Sequence, residues 1–119
     1  MEVGVDIVKI DRFKNMIEKD LSKHFTKNEI LYITSKGKNR LQSLAGIFSC
    51  KESVLKALGL GIFSNKLSML DIEISHIESR PIVVITPKLF HYIDKIGCGD
   101  IKVSISHDGE YAISECIIY

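Results

Sequence analysis

Phe48-Ser-Cys-Lys51-Glu52-Ser-Val-Leu-Lys56-Ala-Leu-Gly59-Leu-Gly61 is the stretch from which the rest of the chain can be placed. Its spacing predicts a helix from about Leu44 to Leu58. Gly59 and Gly61, which tolerate the positive φ at which helices stop, end it. At 100° per residue, Leu44, Ile47, Phe48, Val54, Leu55 and Leu58 share one face, the expected core side. Glu52, Lys56 and Gly59 run together along the border of that face. Glu52 and Lys56 are four residues apart, so their side chains stack on the helix surface. Alone, they read as a surface ion pair worth about 0.3–0.5 kcal/mol. The reading changes if Asp6 and His107, two other isolated titratable residues, come to the same place. Lys51 projects within the apolar arc, so its stem is covered and its head must snorkel or meet an anion.

A chain of 119 residues suits one domain, 1–119, with a single core. Apolar residues make up 45% and charged residues 26%, the balance of an ordinary globular protein. No apolar run approaches the roughly 20 residues that span a membrane. The sequence opens on a strand-like stretch rather than a basic segment followed by an apolar one, so neither a secretory leader nor a membrane partner is expected. Cys50, Cys98 and Cys116 are odd in number and lack metal-site spacing, which favours reduced thiols in a cytoplasmic protein over a zinc site. Charge is uneven: residues 1–56 carry 11 Lys/Arg against 7 Asp/Glu, and residues 57–119 carry 5 against 8. The basic half suits an acidic partner or phosphates as well as plain solvation. With no basic arm and no aromatic stacking platform, nucleic acid is not expected.

Toward the N-terminus, Val3, Val5 and Ile7 alternate with Gly4, Asp6 and Val8, the period of a strand. One face is wholly apolar and the other is apolar except for Asp6. Burying that carboxylate requires a cation or hydrogen-bond donors; otherwise it lies at a strand end or sheet edge. Asp11 is placed to cap a following helix with Phe13, Met16, Ile17 and Leu21 on its buried face. Arg12, Lys19 and Lys23 would give that helix a cationic edge, either solvated or a dock for an acidic helix. Thr26-Lys-Asn-Glu29 is a capping box opening a helix over about 27–34. Ser35–Arg40 is a polar loop with Lys36, Lys38 and Arg40, able to hold phosphate.

Toward the C-terminus, Leu70, Ile72 and Ile74 alternate with polar residues as a half-exposed strand. Ser79-Arg-Pro81 turns into a second strand over 82–86. Thr86 and Pro87 start a helix with Leu89, Phe90, Ile93 and Ile96 buried, and Gly97 stops it. Residues 101–107, a turn at Asp108-Gly109 and residues 110–119 form a hairpin, with His107 at its rim. Strands at both ends and in the middle, separated by helices, predict an α+β domain with a mainly antiparallel sheet.

Two carboxylates on different elements suit a hard cation such as Mg²⁺, which takes one or two protein carboxylates and leaves other positions for water and phosphate. Lys51 and Lys56 beside Glu52, and the Gly59/Gly61 turn, suit an approaching pyrophosphate. The constellation fits phosphoryl-type transfer.

Val3-Gly-Val-Asp6-Ile-Val-Lys-Ile-Asp-Arg12, the Phe48–Gly59 run and Val103-Ser-Ile-Ser-His107 stand in that order. They resemble the three signature segments of the holo-acyl-carrier-protein synthase group of 4′-phosphopantetheinyl transferases. Phe25-Thr26 with Glu29, Asp71-Ile-Glu-Ile and the overall length extend the match across nearly the whole chain. The resemblance implies that family's fold, an antiparallel sheet packed with helices. It also implies its activity, transfer of the 4′-phosphopantetheine arm of coenzyme A to a serine of apo-acyl carrier protein with release of adenosine 3′,5′-bisphosphate. On this basis Asp6 and Glu52 match Mg²⁺ ligands, and Glu52 and Lys56 match the catalytic positions. Lys56, Gly59 and His107 match coenzyme A contacts, and Arg12 matches a carrier-docking position. Members are commonly homotrimers with cofactor sites shared between subunits, which would bring the Lys38/Arg40 loop and His107 to a cleft completed by a neighbour. Many members carry Arg where Ile47 follows Ala45-Gly46, so phosphate contacts on that side are expected from Lys38 or Arg40. A binding module without turnover and a purely structural trimer-forming domain are the alternatives.

Overall fold

The computed structural model describes residues 1–60 and 66–119. In chain order the regular elements are β1 (Glu2–Lys9), α1 (Lys14–Ile17), α2 (Lys27–Ser35), α3 (Arg40–Ala57), β2 (Glu73–Ile77), β3 (Arg80–Val84), α4 (Pro87–Lys95), β4 (Ile101–Asp108) and β5 (Tyr111–Ile118). Two antiparallel sheets result, one of three strands in the order β1-β5-β4 and one of two, β2-β3. The architecture is α+β, as the element pattern predicts.

α3 is the centre of the molecule. Leu44 through Lys51 are all buried, so this segment is enclosed on every side rather than along one stripe. It starts four residues before the predicted Leu44 and ends where expected. Past the helix, Gly59 takes φ +74°; its N–H donates to the Lys56 carbonyl at 3.0 Å and the Leu60 N–H to the Leu55 carbonyl at 2.8 Å. This paired arrangement satisfies carbonyls that a helix end leaves open. Gly61 lies outside the described residues. The capping box of α2 is present: Thr26 N–H donates to Glu29 Oε1 at 2.9 Å, and Glu29 N–H donates to Thr26 Oγ1 at 3.3 Å. Thr86 caps α4 by accepting from Leu89 N–H at 3.1 Å, with Pro87 in the first turn.

β1 turns its Gly4, Asp6 and Val8 face onto α3 and leaves Val3, Val5 and Ile7 at 63%, 56% and 61% exposed. The wholly apolar face therefore points outward. Gly4 makes this possible. A Cβ there would lie 2.0 Å from the Ser53 carbonyl oxygen and 2.7 Å from Ala57 N. Only glycine lets the strand backbone touch the helix backbone so closely.

Five local readings change, the first being the turn before β3, which is Glu78-Ser79 rather than Ser79-Arg-Pro81, so that β3 runs over Arg80–Val84 and not 82–86. Residues 10–23 form not one helix but a 3-10 turn at Ile10–Phe13, the single turn α1, and another 3-10 turn at Leu21–Lys23. Asp11 caps nothing and instead pairs with Lys14 at 3.4 Å. Arg12, Lys19 and Lys23 thus share no helix edge. Residues Met69–Asp71 are a 3-10 turn, so the strand begins only at Glu73. Phe90 and Ile96 of α4 are 46% and 39% exposed. The β4-β5 turn is Gly109-Glu110, one residue later than predicted, with Gly109 at φ +56°.

Candidate active site

β1 and α3 meet at Asp6. Its carboxylate, 6% exposed, accepts from Lys56 Nζ at Oδ1, 3.0 Å away, and the same ammonium donates to the Val5 carbonyl at 3.1 Å. The Asp6 carbonyl accepts from Ser49 Oγ at 3.2 Å, and Ser49 Oγ lies 2.8 Å from Ser114 Oγ on β5. These contacts, with the Gly4 approach, fix β1 against α3. The second oxygen, Asp6 Oδ2, is buried and has no hydrogen-bond partner.

Glu52, one helical turn before Lys56, faces that carboxylate. Burial, followed by the neighbouring Asp6 carboxyl, pushes Glu52 up to about 7; Lys56 and Arg12 act in the opposite direction. Two carboxyls side by side, one with an unpartnered oxygen, repel one another unless a proton or cation lies between them. Lys56 is half-exposed and engages only one of the two oxygens of Asp6, Oδ1. Two carboxylates are a donor set that a hard divalent ion takes, its remaining positions going to water and phosphate oxygens. Among the described residues no group of three or more His, Cys, Asp or Glu side chains is placed to hold a metal ion.

Arg12 follows directly after β1 in the first 3-10 turn, its guanidinium 5.2 Å from the Phe13 ring centroid. Its charge reaches Glu52. Asp6, Arg12, Glu52, Lys56 and Gly59 therefore gather around the second half of α3.

His107, Lys38 and Arg40 belong to the other half. Arg40 begins α3, and at 1.5 Å per residue Glu52 lies about 18 Å further along the axis. Arg40 reaches Glu18 at 3.4 Å, and with Lys14 and Lys38 it borders an open groove of about 500 Å³ floored by Ile17 and Leu41. His107 Nε2 lies 2.9 Å from the Gln42 carbonyl. A carbonyl only accepts, so Nε2 carries the proton and Nδ1 is left for another group. Gly46 makes room for the ring, since a Cβ there would meet Nε2 at 2.9 Å. One chain does not join these residues to Asp6 and Glu52. Ile47, 1% exposed, is part of the core.

Lys51 turns away from the site. It is fully buried, and its Nζ donates to Glu29 Oε1 at 2.5 Å and to the His24 carbonyl at 2.6 Å. The anion expected for Lys51 is the capping-box glutamate, so Lys51 is not a phosphate ligand.

Sequence reasoning passed over Gly4, Gly46, Ser49 and Ser114. Glycine inside a strand was the available signal for Gly4, since it marks a close backbone approach. Nothing local distinguishes Ser49 and Ser114, which meet only through the fold.

A family model described as the 4′-phosphopantetheinyl transferase superfamily matches residues 2–116. The chain is 46% identical over 116 residues to the holo-[acyl-carrier-protein] synthase of Thermoanaerobacter sp. (strain X514), spanning 94% of this chain and 82% of that relative. It is 38% identical over 117 residues to the corresponding protein of Finegoldia magna, spanning 97% and 92%. Among solved structures, Helicobacter pylori holo-[acyl-carrier-protein] synthase in complex with coenzyme A superposes with a TM-score of 0.80 at 31% identity, covering 98% of this chain and 99% of that one. The Bacillus anthracis str. Ames synthase in complex with CoA (3′,5′-ADP) superposes at 0.81 with 28% identity, covering 98% and 94%.

Proposed function

The chain belongs to the 4′-phosphopantetheinyl transferase superfamily and, within it, to the holo-[acyl-carrier-protein] synthases, and from that premise we propose that residues 1–119 are one transferase domain. It moves the 4′-phosphopantetheine arm of coenzyme A onto a serine of apo-acyl carrier protein and releases adenosine 3′,5′-bisphosphate. The observation that carries this reading is the Asp6–Glu52 carboxylate pair with Lys56 beside it. Asp6 and Glu52 would hold Mg²⁺. When bound, such an ion polarises the pyrophosphate and neutralises charge that develops on it.

The chain's own residues supply the rest. Glu52 takes the proton of the carrier serine through a water, and the hydroxyl oxygen attacks the phosphorus that bears pantetheine. A new P–O bond forms as the bond to the bridging oxygen of the pyrophosphate breaks. Lys56 is half-exposed and free to leave the Val5 carbonyl, so its ammonium can meet the departing phosphate. The open backbone at Gly59 gives the cofactor a close approach. Arg12, exposed and close to Glu52, docks the acidic face of the carrier so that its serine arrives beside the carboxylates.

Within one chain, Lys38 and Arg40 lie at the start of α3, and His107 packs against Gly46, about 9 Å before Glu52 along the helix axis. We propose that they serve the nucleotide end of coenzyme A in a cleft completed by another subunit of a homotrimer. The outward face of the three-stranded sheet supports assembly: Val3, Val5, Ile7 and Ile113 lie exposed on adjacent strands in register, a patch that a second copy would cover. A cytoplasmic setting is supported by three free cysteines, two of them buried. No helix among the described residues is long and apolar enough to cross a membrane.

The test is incubation with coenzyme A, apo-carrier and Mg²⁺. The carrier should gain the mass of one phosphopantetheine, and chelation should stop the gain. An unmodified carrier that nevertheless binds tightly would favour the binding-module reading.

A further inference from the structure

We propose that the buried Lys51–Glu29 pair is a positioning device that holds the turn of α3 carrying Glu52 at a fixed rotation against Asp6. The inference rests on the reading of Asp6 and Glu52 as the metal pair. Lys51 and Glu29 are both 0% exposed, and replacing such a pair by apolar residues of similar volume is often neutral or stabilising. Stability alone therefore does not account for a charged pair at this depth.

Its connections do. Lys51 Nζ binds Glu29 Oε1 and the His24 carbonyl. Glu29 Oε1 also accepts from Thr26 N–H at the start of α2, and Oε2 accepts from Ile74 N–H of β2 at 2.8 Å. Through one lysine, α3 is tied to the segment before α2, to the cap of α2 and to the second sheet. Lys51 immediately precedes Glu52, about 100° away around the helix. On Glu52's other side, Gly4 of β1 packs against the Ser53 carbonyl. The turn is thus gripped from two directions, by strand backbone on one side and by directional hydrogen bonds on the other. Apolar packing tolerates small rotations, whereas a five-membered polar cluster with fixed partners does not. A slip of α3 would separate the two carboxyls that must share one ion.

The experiment compares the parent with the Lys51→Met/Glu29→Gln double variant, which removes the charges while keeping volume and one of the two acceptor oxygens, so that either the Thr26 or the Ile74 N–H loses its partner. Binding of Mn²⁺ alone, without coenzyme A or carrier, is followed by electron paramagnetic resonance, and melting is recorded in parallel. The expected result is a folded double variant that binds Mn²⁺ about 10-fold more weakly, the scale seen when supporting partners of metal ligands are removed. A folded variant with parental Mn²⁺ affinity overturns the proposal. If the double variant does not fold, hydrogen exchange on the parent decides. Mn²⁺ should slow exchange at the Thr26 and Ile74 amides more than at the Leu89 amide of α4, and equal slowing overturns the proposal. A parent that binds no Mn²⁺ in the presence of coenzyme A would instead sink the metal-pair reading itself.

Discussion

Lys51 and Glu52 are neighbours in sequence, yet they belong to opposite kinds of electrostatic site. On one side of α3, Lys51 has its counter-charge in Glu29, and both Glu29 oxygens also accept from backbone N–H groups. On Glu52's side two carboxyls face one another, one buried oxygen lacks a partner, and the nearby ammonium is half-exposed. The first arrangement is complete in the folded chain. The second becomes complete only when something else arrives. Incomplete satisfaction in an otherwise well-satisfied interior is a physical mark of a working site, because an unpaired buried polar group costs free energy that a ligand can recover.

The comparison can be broken most forcefully from the complete side. Changing Lys51 alone to Met leaves the Glu29 carboxylate buried without its cation. The fold should lose about 3–5 kcal/mol, the cost of breaking a buried pair by removing one partner. Denaturant midpoints would check this, and a loss below about 1 kcal/mol would mean that Glu29 is already satisfied by its two amides.

Glu52→Gln should behave in the opposite way. It removes a like-charge neighbour of Asp6, so melting should be unchanged or raised. Turnover should fall by about 10²–10³-fold, the usual effect of deleting one element of transition-state charge stabilisation. Steady-state transfer rates beside melting curves would show the split. Parallel losses of stability and activity would mark Glu52 as merely structural.

How much of this contrast the sequence carries differs between the two sides. The C-terminal end of α3, both ends of α4, the Thr26–Glu29 cap and the Asp6/Glu52/Lys56 cluster were legible because each depends on residues a few positions apart or on a motif. The partner of Lys51 was not, since Glu29 already had a sufficient role in its capping box. Nor was the orientation of β1 legible. Hydrophobicity favours burying Val3, Val5 and Ile7, but the backbone contact allowed by Gly4 turns the Asp6 face inward. The short broken turns over residues 10–23 also escaped, because their apolar residues keep helical spacing although the chain is broken into three pieces, two packed on α3 and the third on α2.

A subtler difference lies in pH. Glu52 is raised from its ordinary 4.5 to about 7 in the folded chain. The folded state therefore holds its proton more tightly than the unfolded state between those values. Its contribution to stability is full below about 4.5 and lost as pH rises through about 7. In chelator, the melting temperature should fall between pH 5 and pH 8, and Mg²⁺ should reduce the fall by replacing the proton. Glu52→Gln should flatten it. A metal-free melting profile that stays level across this interval would remove the basis for the contrast.

The smallest expected effect comes from Arg12, and it separates buried from surface electrostatics within the incomplete site. Arg12 lowers the Glu52 pKa from an exposed position, whereas burial and Asp6 raise it. Reversing its charge with Arg12→Glu should move the Glu52 titration further upward and weaken carrier binding while leaving coenzyme A binding unchanged. At about 1 M salt the screening length shrinks to about 3 Å, so the charge-reversal shift should largely disappear. The elevation due to burial should persist, because salt does not enter the β1–α3 contact. Carbon-detected titration of Glu52 at low and high salt, with calorimetry for each substrate, would measure both. If high salt instead returned Glu52 to its ordinary value, its elevation would be a surface-charge effect, and the carboxylate pair would belong with solvated ion pairs rather than with Asp6 in a site held open for a cation.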